Sequence, residues 1–489
     1  MEYYTISLLY LIISLIPILL TILFTSKVTT KSNLPPGPKP WPIIGSIHKL
    51  GDKPHHVVAK LSKIYGPIMS LKLGSITTIV ISSPEIAKEM FLEHDLALSS
   101  RPMQTKSLKK FSMVWLPVCP KWRHLRKIAT LQLFTTQRLD ISQVLRHTKV
   151  KELMEYAQQC CENNLPVDIG KAAFTTSLNL LSNTIFSMDL ASHVSSNSQE
   201  FKDIVWNIME SRPNVLDYIP LVRKLDLQGV LKRKRSYFKK IMGVFEEIID
   251  VRLKDPTDVK DDVLGTLLKL VKDEELSLHD VKHMLFDLFL AGTDTTSSTL
   301  EWAMTELLRN PKVMEKAQIE IDQVLGKDGS MQELDIAKLP YIQALVKEIL
   351  RLHPPAPFLI PHMAIEDVQL CGYLVPKQST IWVNVWSIGR DPSVWTKSKM
   401  FSPERFLEKE IDVKGRNFEL IPFGSGRRIC PGMPLAYRMV HLTLATLLHS
   451  FNWKYVNEAS IATCTIDVEE KFGITLQKAE PLQAIPLPR

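Results

Sequence analysis

An uncharged apolar run, residues 3–26, opens the chain and is rich in leucine and isoleucine. As a helix it would extend roughly 36 Å, at about 1.5 Å per residue, which is enough to cross the apolar core of a bilayer. Because Glu2 precedes the run and Lys27 and Lys31 follow it, the positive-inside rule places the remaining chain in the cytosol. The pattern predicts a single transmembrane anchor over residues 1–26. A cleaved signal peptide is the alternative, although its apolar region normally spans about 7–15 residues after positive charge.

A basic and proline-rich segment, residues 27–44, follows the apolar run. Proline fixes φ and removes an amide donor, so the run LPPGPKPWP at 34–42 excludes a regular helix or a central strand. We therefore predict a stiff hinge between the anchor and the folded part of the chain.

Helical periodicity dominates from residue 84 to residue 354. The longest such pattern begins at Ser277, which stands in capping-box spacing with Asp280, and it ends before Asn310 and Pro311. About 30 helical residues would be roughly 45 Å long, so this helix would cross a whole domain.

Short β-branched runs at 68–82 and 368–384 predict a few strands. Between residue 45 and the last residue we find neither a repeat nor a second linker. The chain therefore predicts one large domain over 45–489, mainly α with minor β.

Composition and charge narrow the classes of function. Hydrophobic residues make up 45% and charged residues 23%, which excludes a disordered, collagen-like or polytopic membrane protein. The net charge of +8 is small for 489 residues and no long basic tail is present, so we expect no nucleic-acid partner. None of the six cysteines is spaced CxxC, which disfavours a zinc site or a disulfide framework.

One cysteine stands in a distinctive glycine-rich segment, PFGSGRRICPG at 422–432. The pattern FxxGxRxCxG is matched by Phe423, Gly426, Arg428, Cys430 and Gly432. Glycines allow close approach to a flat ligand, and backbone amides together with the start of a following helix would lower the pKa of the Cys430 thiol. A thiolate facing an open metal suits an axial ligand of haem iron. A buried structural cysteine in a glycine-rich turn is the alternative.

This segment resembles the haem-binding loop of the cytochrome P450 family, and other motifs of that family follow in the expected order. Glu348 and Arg351 match its ExxR helix, and Arg405 in the sequence PERF would complete a Glu-Arg-Arg cluster. Residues three apart on a helix are neighbours, so Glu348 and Arg351 can pair. The resemblance implies that this cluster supports the cysteine loop.

The sequence AGTDTT at 291–296 matches the oxygen-activation motif in the middle of the long predicted helix. The small Ala291 would let that helix lie against a porphyrin. By resemblance, Thr295 would hold the water chain that supplies protons and Asp294 would feed it. A serine- and threonine-rich bent helix without chemistry is the alternative.

The resemblance also implies which residues bind the two haem propionates. Trp122 and Arg126 match the WxxxR helix, and Arg428 is a further expected partner. The family often has an arginine near the strand after the ExxR helix, whereas this chain has His362 there. His362 could supply that third contact.

The implied cofactor is haem b, and the implied activity is that of an oxygen-dependent monooxygenase. NADPH electrons would come from a separate membrane-bound flavoprotein, the NADPH–cytochrome reductase, since no GxGxxG motif follows a predicted strand. The expected location is the endoplasmic-reticulum membrane, with a single span and the catalytic domain facing the cytosol. A haem-thiolate isomerase that needs no oxygen is a less favoured alternative.

The segments 387–395 and 418–423 resemble those of plant microsomal enzymes of specialised metabolism. The groups in question contain geraniol hydroxylases and alkaloid oxidases such as methylcoclaurine hydroxylase and littorine mutase. We expect a small hydrophobic substrate, first an alkaloid or alkaloid ester of tropane or benzylisoquinoline type and second a monoterpenoid alcohol. Hydroxylation, rearrangement and coupling all stay open. The segments expected to line the pocket are 106–115, 206–219, 288–291, 357–360 and 473–475.

Overall fold

A computed structural model describes residues 33–102, 110–195, 197–210, 229–254, 262–456 and 466–489, together with the isolated residues 15, 16 and 260. Helices dominate these residues and short strands lie mainly towards the two ends, so the mainly α prediction is confirmed. The helices are α1 (Pro54–Tyr65), α2 (Pro84–Leu92), α3 (Asp95–Leu98), α4 (Pro120–Ala129), α5 (Thr136–Ile141), α6 (Gln143–Glu162), α7 (Ile169–Phe186), α8 (Asn197–Met209), α9 (Val230–Lys254), α10 (Val263–Lys272), α11 (Leu278–Arg309), α12 (Pro311–Leu325), α13 (Pro340–Leu352), α14 (Val385–Ile388), α15 (Arg405–Glu408) and α16 (Met433–Ser450).

The described strands form four small sheets. The strands are β1 (Ile68–Leu73), β2 (Ile76–Ile81), β3 (Val167–Asp168), β4 (His362–Met363), β5 (Val368–Leu370), β6 (Tyr373–Val375), β7 (Thr380–Val383), β8 (Asn452–Tyr455), β9 (Glu470–Phe472), β10 (Leu476–Lys478) and β11 (Gln483–Leu487). The largest sheet has the order β1-β2-β7-β4, in which β2 and β7 run parallel with Ile79 opposite Ile381. The strands predicted at 68–82 and 368–384 are therefore present, and the second run contains three of them.

The long predicted helix is α11, and its ends lie where the sequence placed them. Ser277 and Asp280 bond reciprocally in a capping box, and the helix ends at Arg309 before Pro311. Its most extensive packing is against α7. At Gly170 of α7 a Cβ would lie 2.7 Å from the Glu301 carboxyl carbon, so a larger residue here would displace the buried Glu301 side chain.

Two large apolar clusters meet along α11. The first half of the helix, including Phe286 and Phe289, packs with α4, α7, α9 and α10. The second half, including Trp302, packs with α6, α12, α13 and α16. Residues 291–299 belong to neither cluster, because their side chains are small or polar. The middle of α11 therefore contributes no side chain to either apolar cluster.

The predicted anchor, residues 1–26, lies outside the described residues except for Leu15 and Ile16. Among the described residues, no helix is both long enough and apolar enough to cross a membrane.

The second half of the predicted hinge is docked on the domain. The Ser70 amide donates to the Pro36 carbonyl at 2.8 Å, and the Leu374 amide donates to the Asn33 carbonyl at 2.7 Å. A Cβ at Gly37 would overlap the Ser70 carbonyl oxygen, which explains the glycine within this proline run. Residues 33–44 contain no helix, as the prolines predict, but from Asn33 onward the chain is attached to β1 and β6 and does not act as a free spacer.

Candidate active site

Most of the predicted site residues line one internal cavity. It lies between the middle of α11, the cysteine loop before α16, helix α4 and the chain around β4. The predicted residues on its wall are Trp122, Arg126, Ala291, Thr295, His362, Phe423, Arg428, Cys430 and Gly432. Motifs that are up to 310 positions apart in the sequence are thus brought to one site, whereas Asp294, Glu348, Arg351 and Arg405 lie outside the cavity wall.

The loop that carries Cys430 depends on glycine and on one backbone closure. The Cys430 amide donates to the Phe423 carbonyl at 2.9 Å. Gly426 has φ of +62°, and a Cβ there would lie 2.6 Å from a carboxylate oxygen of Asp95. Any side chain at this position would therefore combine backbone strain with a clash. Helix α16 begins directly after Gly432, so its positive end lies near the sulfur.

The Cys430 thiol faces the cavity, and for that reason it keeps some accessible surface despite lying deep in the protein. Burial raises the pKa of this thiol, and this effect exceeds the lowering by the Gly432 and Met433 amides and by Arg126. The amides act in the direction that we predicted, but the net shift has the opposite sign. A coordinated metal cation would favour the thiolate.

Three guanidinium groups, those of Arg101, Arg126 and Arg428, line the cavity on the side of α4. Their described bonds go to backbone carbonyls: Arg101 donates to Pro361 at 3.0 Å, Arg126 to Ile429, and Arg428 to Ser99 at 2.9 Å. In the part of the chain that the structure describes, none of the three forms an ion pair within 4 Å.

This cation cluster is electrostatically costly without an anion. Burial lowers the pKa of Arg428 to about 10 with added repulsion from Arg126, and burial together with Arg428 lowers the pKa of Arg101 well below its usual value. Buried charges are normally paired. The cluster therefore fits a ligand that carries two negative charges. The Trp122 ring stacks on this group, with the Arg428 guanidinium carbon 4.5 Å from its centre.

His362 is a poorer candidate for the third propionate contact than Arg101. Its Nδ1 lies 3.0 Å from the Leu98 carbonyl, and because a carbonyl only accepts, Nδ1 carries the proton. Burial and Arg101 lower the pKa of His362 well below its usual value, so the ring is neutral and its Nε2 is an acceptor. Sequence reasoning missed Arg101, whose only local signal is an arginine between Ser100 and Pro102.

The middle of α11 presents small and hydroxyl side chains to the cavity. Ala291 and Thr295 lie on the same face, one turn apart, and the Thr295 hydroxyl donates to the Ala291 carbonyl at 2.6 Å. The Thr295 oxygen therefore keeps acceptor capacity towards the cavity.

Asp294 points away from this face. Its two carboxylate oxygens accept bonds from the Thr475 hydroxyl and the Gln477 amide, and burial raises its pKa. It joins α11 to β10 and is not part of the cavity wall. The predicted role of Asp294 in proton supply thus stays a prediction, and protons from it would first require these bonds to open. The segment 473–475, expected to line the pocket, contributes Thr475 to this contact and no residue to the wall.

Glu348, Arg351 and Arg405 form the predicted Glu-Arg-Arg cluster. Arg351 makes a bidentate pair with Glu348, with two N–O distances of 2.7 Å, and Arg405 donates to Glu348 at 3.1 Å. Arg351 also donates to the Ser398 carbonyl at 2.7 Å, and the Ser402 amide donates to Glu348 at 2.8 Å. Because both Glu348 and Arg351 are completely buried, loss of one partner would leave a bare charge in the core.

Haem b fits the residues of this cavity. Three guanidiniums without an ion pair among the described residues match its two propionates, the Cys430 thiol faces the cavity, and Ala291 with Gly292 leaves room for a flat face on α11. Of the segments expected to line the pocket, Met113, Val114, Leu288, Leu359 and Ile360 do so. Much of 106–115 and 206–219 lies outside the described residues. One unexpected acid, Asp287, also lines the cavity.

Comparisons with known proteins agree with this site. The chain matches the family model described as Cytochrome P450 over residues 35–481. It is 56% identical over 476 residues to "Cytochrome P450 monooxygenase 76AD131" of Lophophora williamsii, which covers 95% of each chain. It is 53% identical to a geraniol 8-hydroxylase of Catharanthus roseus, covering 93% of this chain and 94% of that one. A solved zebrafish cytochrome P450 with abiraterone superimposes with a TM-score of 0.75 at 25% identity, covering 90% of this chain and all of that chain.

We predict that Arg101→Met accelerates haem loss. Removing one of three cations that face the propionates should raise the rate of haem transfer to apomyoglobin by about tenfold, the order expected for one lost charge-assisted hydrogen bond. Arg427→Met is the matched control. Arg427 lies in the cysteine loop next to Arg428, but it is half-exposed and paired with Asp95 at 3.3 Å. Equal transfer rates for the two variants would contradict the assignment of Arg101.

Proposed function

Because the chain belongs to the cytochrome P450 family and is a haem-thiolate monooxygenase, we propose that it oxidises a small, mainly hydrophobic plant specialised metabolite. The observation that carries this proposal is one cavity in which Cys430, three unpaired guanidiniums and Thr295 converge. These groups correspond to a thiolate ligand, a propionate site and a proton-handling hydroxyl. A separate reductase supplies the electrons, as is typical of the family.

Each residue has a defined task in this proposal. Cys430 is the thiolate ligand of the iron, and the Arg101, Arg126 and Arg428 guanidiniums with Trp122 hold the propionates. When bound, haem supplies oxygen activation, and the thiolate favours cleavage of the O–O bond. Thr295 holds a proton at its hydroxyl on the cavity wall. Phe423 and Gly432 close the cysteine loop around the sulfur.

A monoterpenoid alcohol is the substrate class with more support. Two curated relatives, at 53% and 51% identity, are named geraniol 8-hydroxylase. Among the described residues the only acid on the cavity wall is Asp287, and its carboxylate already accepts bonds from Ser112 and Val114. No free carboxylate is thus available there to pair with an alkaloid ammonium, so an alkaloid substrate stays the second prediction.

The cellular setting is part of the proposal. We place the protein in the endoplasmic-reticulum membrane by an anchor within residues 1–26, joined through residues 27–44 to the catalytic domain at 45–489 in the cytosol. The support is the charge pattern around the apolar run.

Turnover separates the substrate classes. The full-length protein should be expressed in yeast microsomes with a plant reductase and supplied with geraniol, littorine or N-methylcoclaurine. We expect an oxygenated product from geraniol that requires both NADPH and oxygen. Product from an alkaloid alone would favour the second class, and activity retained under nitrogen without NADPH would overturn the monooxygenase proposal.

Cys430→Ala should abolish the absorbance band that a thiolate-ligated haem gives when it is reduced and exposed to carbon monoxide. The control is Cys161→Ala, a half-buried cysteine outside the cavity, which should keep the band. A band of unchanged position and intensity in Cys430→Ala would disprove the ligand assignment.

Thr295→Ala should uncouple oxygen consumption from product formation, because the hydroxyl that handles protons is lost. We expect product per NADPH to fall on the order of tenfold, within the range typical of proton-transfer groups. Thr295→Ser keeps a hydroxyl and should restore most of the coupling. The relay assignment fails if the alanine variant couples as well as the serine variant.

A further inference from the structure

The buried acid Asp287 lies on the cavity wall but has no task in the proposed chemistry. It is on α11, one turn before Ala291 and on the same face. Its oxygens accept from the Ser112 hydroxyl at 2.8 and 3.0 Å and from the Val114 amide at 3.2 Å. Among the described residues it forms no ion pair within 4 Å. Burial raises its pKa to about 7, and the bonds from Ser112 and from the Val114 and Met113 amides oppose this rise.

The partners of Asp287 belong to one short stretch, residues 112–116, which we call the 112–116 segment. This segment contains turns but no helix or strand of its own. The Trp115 and Leu116 amides bond the Ser112 carbonyl within it, and its position depends on bonds to the rest of the protein. Two of its residues, Met113 and Val114, line the cavity.

Two site arginines hold the same segment from its carbonyl side. Arg428 donates to the Met113 carbonyl at 3.3 Å and to the Leu116 carbonyl, and Arg101 donates to the Val114 carbonyl at 3.3 Å. One carboxylate thus accepts from Ser112 and Val114, and two guanidiniums donate to the Met113, Val114 and Leu116 carbonyls. Moving the segment would disturb both the substrate wall and the propionate site.

We propose that Asp287 is a positioning residue that fixes the 112–116 segment against α11 and thereby sets the shape of the cavity opposite Ala291. It acts through the segment and does not touch the reacting atoms. The consequence for substrate rests on the proposed function, whereas the fixing of the segment does not.

The contact uses both oxygens of the acid. They accept from a hydroxyl and from the amides of Val114 and Met113. An asparagine offers only one acceptor oxygen for these three donors, so at least one of them loses its bond. Asp287→Asn is therefore nearly the same in size but should release part of the segment.

Hydrogen exchange on the full-length holoprotein tests this directly. In Asp287→Asn we expect the amides of residues 112–116 to exchange about tenfold faster, as for the loss of one hydrogen bond to a charged group. Peptides covering α13, which has no bond to this segment among the described contacts, should keep their wild-type exchange rates, and the reduced carbon monoxide band should keep its position. Unchanged exchange at 112–116 would overturn the proposal.

Glu301→Gln is the matched control for general loosening of α11. Glu301 is also buried on α11 and also accepts from a backbone amide, that of Leu482 at 2.9 Å, but it does not line the cavity. It should leave exchange at 112–116 unchanged. If both variants accelerate that segment equally, Asp287 has no specific role and the proposal fails. If Asp287→Asn does not fold, Ser112→Ala removes the hydroxyl partner and should accelerate the same amides, and unchanged exchange in it would overturn the proposal.

Spectral titration with geraniol and with tyramine separates positioning from recognition of a charge. Positioning predicts that Asp287→Asn weakens the binding of both compounds to a similar extent, because the wall itself moves. A loss confined to the amine would show that Asp287 is its counter-ion and would overturn the positioning role. If neither compound binds the wild-type protein, the proposed substrate class fails while the exchange result still decides the role of Asp287.

Discussion

Three guanidiniums that have no carboxylate partner among the described residues are the constraint on which the site depends. Arg101, Arg126 and Arg428 converge from different parts of the chain, and backbone carbonyls alone satisfy their donors. Carbonyls satisfy hydrogen bonds but do not neutralise charge, so the folded chain is electrostatically incomplete. A dianionic ligand would remove this deficit and would stabilise the chain around it. The cofactor is in this sense a part of the core, which agrees with a domain that exceeds the usual size for a single apolar core.

The Glu348 cluster shows the opposite solution to the same problem. There the charges are balanced within the protein, with two arginines on one carboxylate and the remaining donors on carbonyls. Its charges and donors are satisfied within the protein, so this cluster needs no ligand for charge balance. The protein therefore contains one charged cluster that its own residues balance and one charged site that a bound anion would balance.

The sequence predicted those parts of the site that local spacing defines. Cys430, the Glu348–Arg351 pair and the ends of α11 follow from neighbours within a few residues, and the structure has them in place. Arg101 and Asp287 could not be recognised in this way, because their partners are 260 and 175 positions away and nothing near them in sequence marks them. The amides that lower the pKa of Cys430 are local and follow from the sequence, whereas the burial that raises it is a property of the whole fold. The direction of Asp294 was likewise set by the distant strand β10.

The docking of residues 33–37 on β1 and β6 limits how far the domain can lie from a membrane. If a membrane span ends at residue 26, only residues 27–32 remain between it and the first docked residue. Six residues reach at most about 20 Å when fully extended. The β5-β6 pair, to which Asn33 is bonded, would then lie within that distance of the lipid surface, and the protein could tilt but not diffuse away from the membrane. In that arrangement, any pull from the membrane span would act on β6 and β1 before it reached α11 and the cavity.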